Sequence, residues 1–578
     1  MQIAVIDWFV VGIYLVALVA VGIVASFKVS GTDHYFLGKR NFGKLLMIAQ
    51  SFGVGTHADM PVSLTGAVYS NGLSAIWYQW KNLFAMPFYW IMAPVFRRVR
   101  RTTTAEMMAD RYGNGMAALY IVFSFAFFII NIASILKGAA KILNMILGSQ
   151  VGVDHIVLAL AAIFVFYSFI GGLTASTWSD FIQGMLIILL SFMLIPLGWS
   201  LVGGLNGIRQ TLPAVNLSLA TPKELGLWFI AMLTINGIIG IMAQPHMMAA
   251  VGTGKTEYAC RTGLLYGTFI KRICTVGWAI IGLMVAVMVK RAIFGVSALG
   301  DSEDAFGFAC RHLLSHGFRG LLIASVMGAG LASCSALMID SGALFTQSVY
   351  RRLLSRPRSD RHYLWVGRWS GLTVVLIAVI YALFFVQKVL YSFLFTETLA
   401  TYIGVGVVTG LMWSRANRWG AASSVIVSLI TNFTLYHVGH ERLDYWDPNV
   451  FLASLLAGIL CLVLVSLLTR PEPEERTTAF FSHLATPSDL TRDESIARYS
   501  ATTDIGNSIS EPTASVPYPN RWDAENGRQL LIVNLLHLRQ GACGVGFFRA
   551  YRDDLRGLSI GFVLCAGLVT GLWALFHF

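Results

Sequence analysis

Charge is what this chain has least of. Of its 578 residues only 12% are Asp, Glu, Lys or Arg, about half the share of a soluble domain, while 56% are hydrophobic. A water-soluble fold of this length cannot hide so much apolar surface, so most of it must face lipid or other apolar segments. Acidic residues number 30 against 42 basic ones, a net charge of +12. The basic residues are not gathered into a stripe with interleaved aromatics, which excludes a nucleic-acid surface. The 7 cysteines form no CxxC pair and mostly sit inside apolar runs, which argues against a zinc site or a disulfide framework and leaves them as small buried residues. The first apolar run, from about Val5, has no basic segment before it and is too long for a signal peptide, so it counts as a membrane span.

What fills the chain instead is a succession of about 14 apolar runs, each long enough to cross roughly 30 Å of hydrocarbon. They fall near residues 5–27, 43–70, 74–96, 116–147, 152–171, 179–203, 224–250, 263–289, 319–350, 364–386, 389–413, 418–437, 449–469 and 557–577. Basic clusters follow the odd-numbered spans: Lys28, Lys39, Arg40 and Lys44; Arg97, Arg98, Arg100 and Arg101; Lys255, Arg261, Lys271 and Arg272; Arg351, Arg352, Arg356, Arg358 and Arg361; Arg415 and Arg418. One orientation satisfies them all. The N-terminus lies outside a plasma (inner) membrane, these loops are cytoplasmic, and the acidic loops Asp301 to Asp304 and Asp444 to Asp447 are outside. Residues 1–470 read as a membrane core with spans 1–13. Residues 471–556 are polar, rich in Ser, Thr and Pro, and read as a cytoplasmic linker. Within it, 529–539 has an apolar face suited to the membrane surface, and 557–577 is a last span.

Two spans are interrupted. The second contains Gly53-Val-Gly-Thr-His-Ala-Asp-Met-Pro61 and the seventh Asn236-Gly-Ile-Ile-Gly-Ile-Met-Ala-Gln-Pro245. Glycine weakens a helix, and proline cannot donate to the carbonyl four residues back. Carbonyls freed at membrane depth are costly unless they line a cavity or coordinate something. The breaks lie five spans apart, as expected for inverted five-helix repeats, about 43–203 and 224–413, with a site at their interface. Ordinary proline kinks are the alternative.

Several short motifs then occur in order. Asp33-His-Tyr-Phe-Leu-Gly-Lys-Arg40 follows span one, and Ser63-Leu-Thr-Gly-Ala-Val-Tyr69 closes span two. Thr104-Ala-Glu-Met-Met-Ala-Asp-Arg-Tyr-Gly113 follows span three. Gly171-Gly-Leu-Thr-Ala-Ser-Thr-Trp-Ser-Asp-Phe-Ile-Gln183 opens span six, and Leu344-Phe-Thr-Gln-Ser-Val-Tyr350 ends span nine. Together they resemble the sodium:solute symporter family, which includes the sodium–glucose, sodium–proline and sialic acid transporters. The resemblance covers roughly residues 1–440. It implies an all-α membrane protein with LeuT-like inverted five-helix repeats and extra flanking helices, coupled to sodium, with no other cofactor.

The resemblance also implies sites. Sodium is small and hard and favours oxygen ligands. Matching Gly66 to the family pattern puts its main-chain carbonyl ligands at Gly53 and Thr56. Ala329-Gly-Leu-Ala-Ser333 in span nine matches a further carbonyl at Ala329 and a hydroxyl at Ser333. Ala332 departs from the pattern, standing where the family usually has a hydroxyl. Ser335 and Asp180 partly match a second cation position, and Asp180 also lies on the family's cation exit path, although it could instead cap a helix. Asp340, two helical turns from Ser333 on the same face, could compensate for Ala332 or mark a proton-coupled variant; it could also pair with an arginine.

For the solute, Tyr78-Gln-Trp80 resembles a sugar-transporter motif with Gln79 replacing a glutamate. Asn82 takes another lining position. Met60 falls at a sugar-contacting glutamine, and Gln244 matches a family glutamine beside Ala243. Sugar itself is disfavoured by Met60 and Ala243. His57, Asp59, Lys81 and Lys137 are ionisable residues within apolar runs. Lys81 or Lys137 could hold the carboxylate of an organic acid or amino acid; alternatively Asp59 and Lys81 neutralise one another and Lys137 snorkels. The partners expected are therefore sodium, lipid and a small solute that is sugar-like, an amino acid or an organic acid.

Other classes are weaker. Ala249-Ala-Val-Gly-Thr-Gly-Lys-Thr256 nearly spells a phosphate loop, but its first glycine is alanine and no buried strand precedes it. His440-Glu441 lacks the second histidine of a zinc protease motif. A sensor fused to a kinase would need more than residues 471–556. The chain is not expected to be an enzyme.

Overall fold

The computed structural model describes residues 4–26, 42–53, 56–221, 225–353, 358–439, 446–485, 487–488, 530–534, 547–548 and 551–577; between 166 and 184 only the backbone is described. The Asp33–Arg40 motif, Asp444 and most of the predicted linker lie outside these residues.

The principal helices are α1 (Val5–Ser26), α2 (Lys44–Gly53), α3 (Asp59–Asn71), α4 (Met86–Arg98), α5 (Thr104–Tyr112), α6 (Asn114–Ile146) and α7 (Val153–Val202). They continue as α8 (Leu227–Gly240), α9 (Met247–Gly252), α10 (Glu257–Lys290), α11 (Phe318–Leu344), α12 (Asp360–Phe384) and α13 (Val389–Met412). The last are α14 (Arg418–Val438), α15 (Pro448–Leu468), α16 (Glu474–Ala485) and α17 (Arg552–His577). Among the described residues, eight helices are long and apolar enough to cross a membrane, and four further apolar stretches are shorter.

The fifth and sixth predicted spans differ most from expectation. They run as the single 50-residue helix α7, about 75 Å at 1.5 Å per residue. Gly171 and Gly172 weaken a helix by about 1 kcal/mol each, but unlike proline they keep their N–H donors. At the other end of the chain, the stretch read as a linker begins with α16, whose Phe480 and Leu484 are buried. Arg98 of α4 donates to Leu484 O at 2.9 Å and pairs with Glu257 at 2.9 Å. Within 529–539, the described turn Leu531–Asn534 buries Leu531 and Ile532 and packs against α4 and α13.

Helix α10 packs on α2, α3 and α4, while α11 packs on α6, α7 and α1. Asp7 ties α1 to the start of α11, its carboxylate accepting from the Gly317 and Gly320 amides at 2.6 and 3.0 Å, where the helix dipole favours an anion. The Thr104–Gly113 motif is structural. Thr103 and Glu106 form a reciprocal capping box for α5, satisfying amides left free in the first turn. Arg111 donates to the carbonyls of Gly410, Trp413, Ser414 and Ala416, and Tyr112 to that of Gly406, so the motif clamps the C-terminal end of α13. Gly113 turns the chain between α5 and α6 at φ +88°, a conformation that costs other residues dearly.

The acidic loop at 301–304 is seated on the bundle. Lys141 of α6 pairs with Asp301 at 3.0 Å and with Glu303, and Lys388 also pairs with Asp301. Glu303 accepts from the Leu390 amide at 3.2 Å, and the Ser302 carbonyl lies close over Gly66 of α3. Partial burial alone would raise the Asp301 carboxyl, but hydrogen bonds from Lys388 and the Glu303 amide, with the Lys141 charge, push it down to about 2. An unfolded aspartate titrates near 3.9. The stabilisation from this group is therefore complete above that pH and is lost as pH falls towards the folded value. Thermal unfolding in detergent between pH 5 and 2 should show a falling midpoint in the native chain, and Asp301→Asn should flatten that fall.

Candidate cation and solute site

Both predicted interruptions are present. Helix α2 ends at Gly53 and α3 begins at Asp59, with Val54 and Gly55 outside the described residues. Thr56 turns the chain between them: its amide bonds Gly53 O at 3.1 Å and its hydroxyl bonds Phe52 O at 2.7 Å. Pro61 falls in the first turn of α3, where a missing N–H costs nothing because it has no helical partner. The proline marks a helix start rather than a kink. Helix α6 passes directly over this point, because a Cβ at Gly138 would lie 2.6 Å from Asp59 Cα.

In the second interruption α8 tightens into a 3₁₀ turn over Ile241–Ala243, Gln244 is extended, and α9 resumes at Met247. Tyr120 of α6 donates to the Ala243 carbonyl at 2.6 Å, satisfying an acceptor the break has freed. Helix α8 lies close to its neighbours through glycines: a Cβ at Gly237 would meet the Lys81 carbonyl at 2.8 Å, and one at Gly240 the Thr401 hydroxyl at 2.8 Å. Asn236 adds a bond to Thr398 of α13 at 3.2 Å.

Between the breaks lies a buried polar network. Lys81 meets Glu397 of α13 at 2.8 Å and stands 4.4 Å over the Phe393 ring. The lysine contact is a charge pair rather than an aligned hydrogen bond. Gln244 donates to Glu397 at 2.8 Å. The alternative in which Asp59 and Lys81 neutralise one another is not what forms: Glu397 takes Lys81, while Asp59 has His57 at 3.6 Å. Lys137, itself largely buried, is engaged at 2.8 Å by Asp154, whose side chain is 60% exposed, so its charge already has a partner. Glu397 escaped the sequence reading, although a lone carboxylate inside an apolar run is itself a signal of function.

Lys271 and Arg272 also depart from expectation. Counted with a cytoplasmic basic cluster, they instead lie within α10 and are buried. Arg272 donates to the Gln79 carbonyl. The reason is the one-dimensional count: it cannot tell a loop cation from one on a buried helical face. Gln79, Met60 and Asn82 are buried as expected, and Asn82 Oδ1 has no donor among the described residues.

On α11, Ala329, Ser333 and Ser335 are buried. The Ser333 hydroxyl makes no hydrogen bond among the described residues, and its neighbour Cys334 lies within electrostatic reach of Asp59. The side chains of Ala332 and Asp180 lie outside the description. Asp340 is 9% exposed and lines a small cavity with Thr102, Thr103, Thr104, Tyr120 and Pro245. Among the described residues it has neither an ion pair nor a hydrogen bond, so no arginine neutralises it. In the phosphate-loop-like segment, Thr256 caps α10 and Gly254 pairs with Phe42, so the loop serves packing.

A helical membrane bundle with two broken helices, their breaks served by a common polar network, is a secondary transporter of the LeuT-like class. A solved structure of a sodium-coupled sialic acid symporter shares the fold, with a TM-score of 0.69 at 18% identity over 81% of this chain and 98% of that one. Residues 35–428, about two thirds of the chain, match the sodium:solute symporter family, and the chain belongs to that family. The osmoregulated proline transporter OpuE of Bacillus subtilis is 24% identical, covering 79% of this chain and 94% of its own. The sodium/glucose cotransporter of Vibrio parahaemolyticus is 22% identical (73% and 84%), and the sodium/pantothenate symporter of Haemophilus influenzae 24% (78% and 94%). The chain is a multi-pass membrane protein and a sodium-coupled symporter of a small solute, not an enzyme.

Lys81 and Glu397 should be mutually dependent. Breaking a buried pair leaves an uncompensated charge and costs about 3–5 kcal/mol, whereas removing both charges is nearly neutral. Lys81→Met should therefore lower the thermal midpoint in detergent sharply, and Lys81→Met/Glu397→Gln should recover most of the loss, since glutamine still accepts from Gln244.

Proposed function

We propose that sodium binds between the first break and α11, held by the carbonyls of Gly53, Thr56 and Ala329 and the hydroxyl of Ser333, with Ala332 leaving one ligand position to water or solute. Ser335 and Asp180 form a second cation position or the exit path. The solute lies between the two breaks, against His57, Met60, Gln79, Lys81, Asn82 and Gln244. It is a small organic molecule of the sugar-like, amino-acid or organic-acid kind, as carried by the relatives. The core spans residues 1–470 with its N-terminus outside a plasma membrane, and transport proceeds by alternating access. Sodium stabilises the state open to the outside and so strengthens solute binding, a reciprocal coupling typically of about 1–3 kcal/mol. What supports the reading is the buried Ser333 hydroxyl, which makes no hydrogen bond among the described residues and adjoins Cys334, itself within electrostatic reach of Asp59 at the first break. One other observation favours proton coupling as a second reading: Asp340 is buried without an ion pair among the described residues, two helical turns from Ser333 on the same face.

The test is sodium binding itself. A ligand at 100 times its Kd stabilises the folded state by about 2.7 kcal/mol, so sodium should raise the thermal midpoint of the purified chain relative to potassium or choline. Ser333→Ala should abolish that rise. An undiminished sodium effect in the variant would move the ion elsewhere, and a midpoint indifferent to sodium but sensitive to Asp340→Asn across pH would favour the proton.

A further inference from the structure

We infer that the solute is carried as an anion, through a carboxylate that docks on the Lys271 ammonium. This rests on the reading that the solute lies between the two breaks, and it names the chemical class that reading leaves open.

Lys271 sits midway along α10, only 8% exposed. Its surroundings fix its level in the bundle. One turn before it, Gly267 packs on Ile48, Ser51 and Phe52 of α2; one turn after it, Thr275 accepts a hydrogen bond from Trp80 at 2.8 Å. Asp59 at the first break, His246 at the second, Lys81 and Glu397 all lie within electrostatic reach of it. Its helix therefore lies against the first break, within electrostatic reach of a group at the second.

What distinguishes Lys271 is that nothing among the described residues holds it. Lys81 has Glu397, Lys137 has Asp154, and Lys141 has Asp301 and Glu303. Arg272 has the Gln79 carbonyl. Lys271 alone among these makes no hydrogen bond and no ion pair among the described residues. A buried ammonium without a partner is strongly unfavourable, and in a membrane core such a group marks a ligand site by default.

The charges around it do not balance either. Lys81, Lys271 and Arg272 are three basic groups around the two carboxylates of Asp59 and Glu397. A bound sodium adds another positive charge to the centre. A carboxylate on the solute offsets the excess, and each ligand then favours the other electrostatically, which is the coupling a symporter needs. Met60 and Ala243, which disfavour sugar hydroxyls, are consistent with recognition through charge.

The experiment uses the purified full chain. Thermal shift and competition binding are measured with lactate, succinate and proline, and with lactamide, succinamide and prolinamide, in sodium and in choline. At least one acid should bind, and its amide should bind roughly 10-fold or more weakly, the usual worth of a hydrogen bond to a charged group. Proline against lactate separates zwitterions from simple anions. Lys271→Met should lose acid binding by a similar factor, keep the shift caused by sodium alone, and raise the midpoint of the ligand-free protein, because an unpaired buried charge is removed. Lys271→Arg should retain part of the acid binding. An amide binding as tightly as its acid, Lys271→Met binding the acid undiminished, or no acid binding at all would each overturn the inference. The sodium-only shift is scored separately, so a failure of the cation site is distinguished from a failure of this one.

Discussion

Every feature of the site answers to one constraint: within a bilayer no backbone group or charge can be left to water. Breaking a helix frees carbonyls, each costing several kcal/mol if unpaired. The two breaks therefore exist only because neighbouring helices come close enough to serve them. Helix α6 does much of this, with Tyr120 reaching the Ala243 carbonyl at the second break and Gly138 letting the helix lie directly on Asp59 at the first. Thr56 folds its own amide and hydroxyl back onto the preceding turn.

The same constraint explains the charges. A buried ion pair is a poor source of stability, since desolvation offsets most of the attraction. Lys81 and Glu397 are better understood as specifying an arrangement. Glu397 also accepts from Gln244, so one carboxylate joins the segment before α4, the second break and α13. Any movement of one of these elements relative to the others must exchange these contacts. Substrate and ion sites placed among such contacts can bias which arrangement is populated, the thermodynamic requirement for coupled transport.

Around that centre the sequence motifs divide into two kinds. Some are scaffold: Thr103, Glu106, Arg111 and Tyr112 cap α5 and clamp the end of α13. Others, such as the Gly53–Pro61 stretch, mark the places where the helix must open. The near phosphate loop at Ala249–Thr256 belongs to the scaffold, since its last residue caps a helix.

Membrane class, the number and place of the helix breaks, and family were all legible in one dimension, because apolar run length, glycine, proline and motif order are local properties of the chain. Burial and pairing were not. Lys271 and Arg272 read as loop cations until α10 turned them inward, Lys81 found Glu397 from a span some 300 residues away rather than Asp59, and Lys137 proved to be paired with Asp154. Two predicted spans merged into α7, since glycine weakens a helix without removing a hydrogen-bond donor. Which charge meets which depends on helix rotation and on long-range contact, and those are set only when the whole bundle packs.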